Sequence, residues 1–181
     1  MSVPRVCTLV NTETATNSAS LAFTGIDNTY KEYMFVFYDI NPATDGAEFQ
    51  WNASDDTSSH SYDLSKHSAG WKAYNRETTG DTAIGEETGH TLTNSTSAQK
   101  LAFNIGNGSD ESAAGWLRIF EPADTTFVKN YFQEMNILQY SNYCYSEMVA
   151  GHINTTAAVT AIQFAMSTGN FDGVIQMYGI S

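Results

Sequence analysis

At 181 residues, with 20 Asp and Glu against 8 Lys and Arg for a formal net charge of −12, the chain is the size of one ordinary domain and acidic along its whole length. Such a surface repels phosphate backbones and anionic lipid, which argues against nucleic-acid partners, and no run approaches the ~18 apolar residues of a membrane span. Aromatics are 13% and charged residues only 15%, so Ser, Thr and Asn must solvate the surface, a balance suited to pleated sheets and turns rather than helical bundles.

The opening Met1-Ser2-Val3-Pro4-Arg5 lacks the basic-then-apolar order of an export leader, so the expectation is folding in a cytoplasm. Strand-like runs then follow with turn signals between them: Val6 to Val10, Leu21 to Phe23, Tyr33 to Tyr38, Phe49 to Ala53, Trp71 to Tyr74, Leu101 to Ile105, Trp116 to Phe120 and Met148 to Ile153. Tyr33-Met34-Phe35-Val36-Phe37-Tyr38 is apolar at both parities and is expected mid-sheet, covered on both faces. The stretches Ser54 to Ser68 and Glu77 to Ser97 hold few large apolar residues and read as exposed loops or edge hairpins. Val128 to Leu138 fits both a helical stripe and an alternating strand; its strand neighbours favour the strand. Ile162, Phe164 and Met166, a turn through Ser167 to Asn170, then Ile175 and Met177 read as a closing pair of strands with one buried face, the last of them structural. The whole, residues 1–181, is expected to be a single all-β domain, an antiparallel β-sandwich of jelly-roll type.

No chemistry declares itself. The acidic pairs Asp55-Asp56, Glu86-Glu87 and Asp110-Glu111 put neighbouring carboxylates on opposite faces of any strand, so they read as solvated loop acids rather than a glycosidase pair. Asp39, Asn41, Asp45 and Glu48 offer oxygen ligands but lack the spacing of a calcium loop, and His60, His67, His90 and His152 are dispersed and read as surface histidines. Cys7 and Cys144 are expected to be free, buried thiols. No phosphate loop, nucleophile elbow or dinucleotide fingerprint occurs, so neither a metal nor a cofactor is expected. Among the tryptophans, Trp51 and Trp116 fall in clear strand patterns and read as core, leaving Trp71 and Tyr74 as the candidate glycan contact; their opposite parity allows at most one to face inward.

Phe23-Thr24-Gly25-Ile26-Asp27, Tyr33 through Asp45, Asn154 through Phe164, Ser167 to Asn170 and the closing Gly173-Val174-Ile175-Gln176-Met177-Tyr178-Gly179-Ile180 together resemble a family of small virion structural proteins of marine tailed bacteriophages, nearly end to end. The resemblance implies a particle component, a tail or head fibre or a decoration protein, rather than an enzyme. It implies a homo-oligomer, a trimer if the setting is a fibre, with other virion proteins as partners and the virion as its location. It carries no catalytic or binding motif, and Ser54 to Ser68 and Glu77 to Ser97 are where it is weakest. A carbohydrate-binding module for host-surface glycans is the alternative, and a glycan depolymerase the third reading.

Overall fold

The computed structural model describes residues 6–181, so the reading of Met1 to Arg5 lies outside the described residues. The elements are β1 (Cys7–Ser18), β2 (Ser20–Thr24), β3 (Glu32–Pro42), β4 (Ala47–Ser54), β5 (Lys66–Arg76), β6 (Thr82–Glu86), a 3₁₀ turn at Thr88–His90, β7 (Gln99–Ile105), β8 (Ala113–Phe120), β9 (Lys129–Gln139), β10 (Tyr143–Ile153), β11 (Ala161–Met166) and β12 (Phe171–Ile180). All the pairings are antiparallel, and the described residues contain no α-helix.

The pairings nest: β1 with β12, β2 with β11, β3 with β8 and β4 with β7. That nesting lays β1-β12-β3-β8 against β2-β11-β4-β7, the order of a jelly roll, in which two interlocked Greek keys bury one face of each sheet. The chain adds to this frame on one side only. β9 pairs with β8, β10 with β9, β5 with β10 and β6 with β5, so the first sheet grows to eight strands. A single bridge from Ile105 on β7 to Gln139 on β9 joins the two sheets.

Alternation decides what fills the space between the sheets. Phe35 and Phe37 of β3, Ile175 and Met177 of β12, and Leu117 and Ile119 of β8 point in from the larger sheet; Phe23, Phe49, Trp51, Ile162 and Phe164 point in from the smaller one, all buried. Phe164 stands at the centre, its ring 5.2 Å from both Phe35 and Phe37 and 6.0 Å from Phe23 and Phe49, edge-on to Phe23 and Phe37, tilted against Phe35 and stacked on Phe49. Edge-to-face rings set positive rims against negative faces and add to the gain from area alone.

The segment from Val128 to Leu138 is strand, as its neighbours suggested, because β9 needs both β8 and β10 beside it. Tyr33 to Tyr38 is mid-sheet but covered by the chain on one face only: Tyr33, Phe35 and Phe37 are buried, whereas Met34 and Val36 are half-buried and Tyr38 is exposed. The cysteines are free but both exposed, not buried, Cys7 on the edge strand β1 and Cys144 at the outward parity of β10. Trp51 is core; Trp116 instead lies on the outer face, half-buried and stacked on Phe132.

Candidate functional site

β5, β10, β9 and β8 run side by side, and their outward residues form a grid that the register fixes. One row carries Trp71, Met148, Glu134 and Trp116; the next Ala69, Ala150, Phe132 and Arg118; the third His67, His152 and Asn130. β5 and β10 pair without interruption from Tyr143 opposite Arg76 to Ile153 opposite Lys66, so these neighbours cannot slip. Two small residues, Ala69 and Ala150, thus lie side by side among tall ones. The result is an open cavity of about 670 Å³ lined by those alanines, by Trp116, Phe132 and Phe120, and by His67, His152, Asn130 and Arg118.

The walls are built of paired rings. Trp116 and Phe132 stack at 5.6 Å and 24°, and His67 and His152 stack at 5.6 Å and 23°. Arg118 lies across the neighbouring rings, its guanidinium 5.5 Å from Phe120 and 5.9 Å from Trp116, while its Nε donates to Glu32 of β3. That bond holds the guanidinium above its ordinary range. Among the described residues, the side chains of His67, His152 and Asn130 make no hydrogen bond.

The floor is held from below. Gly151 faces the interior, where a Cβ would come within 2.6 Å of the Tyr131 hydroxyl, and that hydroxyl donates to Gln99 Oε1 at 2.7 Å. Ser68 Oγ donates to the same oxygen at 2.8 Å, and Gln99 Nε2 donates to the His90 carbonyl at 2.8 Å. Burial pushes the Tyr131 phenol well above its ordinary range, so it stays a neutral donor.

Beyond this network lies a second polar group inside the sandwich. His90, expected at the surface, is 1% exposed, because the 3₁₀ turn folds it beneath β5 and against Phe103 of β7. Its Nε2 is 3.7 Å from Oε2 of Glu147, which is equally buried. Burial pushes Glu147 up to about 9, with the Glu87 charge adding to it and Lys72, the Phe103 amide and Lys100 opposing; burial pulls His90 down to about 4. Both are therefore uncharged at neutral pH, and the contact is not an ion pair. Glu87 is not a solvated loop acid either: it is buried, ion-paired with Lys72, and accepts from the Gly89 amide at 3.0 Å. Of the other acids, Asp56 accepts from Ser54 and Ser61, and Glu111 accepts from the Gly108 amide. No group of three or more His, Cys, Asp or Glu among the described residues has metal-binding geometry.

The structure separates the two residues singled out from the sequence. Trp71 points outward, 42% exposed, in the same row as Trp116; Tyr74 points inward and packs on Tyr143 and Tyr145 with ring centroids 5.4 and 5.2 Å away. The remaining cavity residues come from four strands spread over more than eighty positions, and no local motif links them. Their sequence signal is the alternation His67-x-Ala69-x-Trp71 opposite Met148-x-Ala150-x-His152, legible only once the register is known. No protein-family model matches the chain, and no curated protein shows significant similarity to it.

Proposed function

We infer that the protein is a structural component of a tailed-bacteriophage virion, a tail or head fibre or decoration protein that works as a homo-oligomer, with a trimer favoured in a fibre. The observation that supports this is the outer face of β1, β12 and β3. Leu9, Tyr178 and Met34 form one row across the three strands, Thr12, Gln176 and Val36 the next, and Thr14, Val174 and Tyr38 a third. Leu9 is 50% and Tyr38 42% exposed, and the polar positions among them are uncharged. Among the described residues these three rows carry no charged side chain, with Arg118 of β8 next in line beside Met34, and a largely apolar, uncharged patch on an otherwise acidic molecule is suited to a second copy of the same chain, since like-charged surfaces would otherwise repel. Repeated positions on a particle favour closed symmetry built through such a patch. The segments resembling phage structural proteins include β3 and β12, the strands that carry this face.

Light scattering over a range of concentrations tests the oligomer, with Val36→Glu as the variant that places a charge in the patch. A stable oligomer that Val36→Glu converts to monomer is expected. A wild-type protein that is monomeric at every concentration and missing from a density map of the intact particle would overturn the assignment.

A further inference from the structure

We propose that the recess over Ala69 and Ala150 is a saccharide-binding site that takes a short stretch of a neutral glycan chain. A sugar ring has two faces of C–H groups and a rim of hydroxyls, so its site needs aromatic plates with hydrogen-bonding groups at their edges. The recess supplies both. Phe132 and Trp116 form one wall, and Trp71 stands one register step from the alanine floor. His67, His152 and Asn130 stand at the rim, with no side-chain hydrogen bond of their own among the described residues.

Other ligand classes fit less well. Among the described residues an anion would meet a single lysine or arginine side chain, Arg118, whose charge Glu32 engages, with Glu134 one row away and a net charge of −12 behind it. A wholly apolar ligand would strip water from His67, His152 and Asn130 and give them nothing in return, which costs free energy for each group left unpaired. A neutral polyhydroxylated chain satisfies both the rings and the rim. The cavity is within the ~300–1,000 Å³ usual for small-ligand sites, and its floor of continuously paired strands is preorganised, so little ordering cost attends binding. The site lies over β8, β9, β10 and β5, beside the apolar face on β1, β12 and β3, and does not rest on the virion assignment.

Isothermal titration of the full chain with maltohexaose, cellohexaose, laminarihexaose and chitohexaose tests the proposal. At least one should bind with a Kd below about 1 mM, the weak end of specific recognition. Ala150→Trp, which fills the recess and removes no polar group, should abolish that binding, and Trp71→Ala and His152→Ala should each weaken it by about tenfold, or one missing stacking or hydrogen-bonding contact. Tyr74→Phe, on the opposite face, should leave it unchanged. Should Ala150→Trp fail to fold, Ala69→Gln narrows the same floor. Binding by none of the four hexaoses, or binding indifferent to the recess variants, overturns the proposal. Light scattering on Ala150→Trp keeps this outcome separate from oligomer formation, which that variant should retain.

Discussion

Replacing Glu147 by Gln should make the protein progressively more stable than the wild type as pH rises. Glu147 is 1% exposed, is raised to about 9 in the fold, and has an ordinary value of 4.5. Between those values the native state keeps a proton that the unfolded chain releases, so the wild type loses about 1.4 kcal/mol of stability per pH unit from this group. His90 works in the other direction. Its value falls from 6.5 to about 4, so the unfolded chain binds the extra proton, and stability is lost as pH falls from 6.5 towards 4. Between pH 4.5 and 6.5 the two slopes nearly cancel; above 6.5 the Glu147 slope is no longer offset by His90, until about 8, where Lys66, pulled down by burial from 10.5 to about 8, begins to give the opposite slope. Glu147→Gln keeps the shape, adds an amide donor facing His90 and removes the carboxyl slope. The stability difference between variant and wild type should therefore grow by about 4 kcal/mol from pH 5 to pH 8. Urea unfolding at fixed protein concentration across that range measures it. A pH-independent offset is allowed, because the amide changes local hydrogen bonding; a difference that stays flat with pH would refute the burial argument.

Both thiols are exposed on the single chain, so Cys144 should react with a thiol reagent in the native protein as fast as in the denatured one, whereas Cys7, two residues from Leu9 at the edge of the proposed oligomer face, should react more slowly in the wild type than in Val36→Glu; equal rates at Cys7 in the two proteins would count against that face as the interface. Gly151→Ala sets a Cβ 2.5 Å from the His67 carbonyl and 2.6 Å from the Tyr131 hydroxyl, and should cost about 1–3 kcal/mol in urea unfolding, the usual range for overpacking. A chain ending at Asp172 removes most of β12, the strand between β1 and β3, together with buried Ile175 and Met177. At ~1.5–3 kcal/mol for each side chain that is about 3–6 kcal/mol, comparable with a whole domain's ~5–15, so the fragment should be insoluble, and a soluble, cooperatively unfolding fragment would contradict the fold.

The jelly roll was legible where alternation was clean. Ile162, Phe164 and Met166 face inward as their spacing implies, and the strands from Tyr33, Phe49, Leu101, Trp116 and Met148 all form. Legibility was partial where a strand is polar at both parities: Val6 to Val10 reads as strand and overlaps the start of β1, but the strand continues well past it to Ser18. β1 runs from Cys7 to Ser18 through Asn, Thr and Glu, held by its pairing with β12 rather than by burial, since only Ala15 of its length is buried. β5 begins at Lys66, inside a stretch that reads as loop, because its inward positions are Lys66, Ser68 and Gly70 rather than large apolar residues. The lysine is buried by donating to Asn52 Oδ1 at 2.5 Å and the Leu64 carbonyl at 2.9 Å, partners that no local pattern announces.

The same polarity explains why the candidate site escaped the sequence. A sheet shows its function on whichever face is not core, and the two faces differ only by parity, which is meaningful once the register is fixed. Trp71 was detectable as an isolated aromatic in a polar stretch, but its partner by local spacing, Tyr74, belongs to the other face. Its neighbours across the sheet are Met148 and then Glu134, more than sixty residues away, with Trp116 in the same row. Ala69 and Ala150 carry no chemical signal at all, yet they make the recess, because any larger pair at those positions would level the face between Phe132 and the histidines. Small residues opposite one another on the solvent side of a continuously paired sheet forgo contact area that larger side chains would supply. Their place between two stacked ring pairs is what makes the outer face concave, and a concave aromatic surface with unpaired polar edges is suited to a ligand rather than to packing alone.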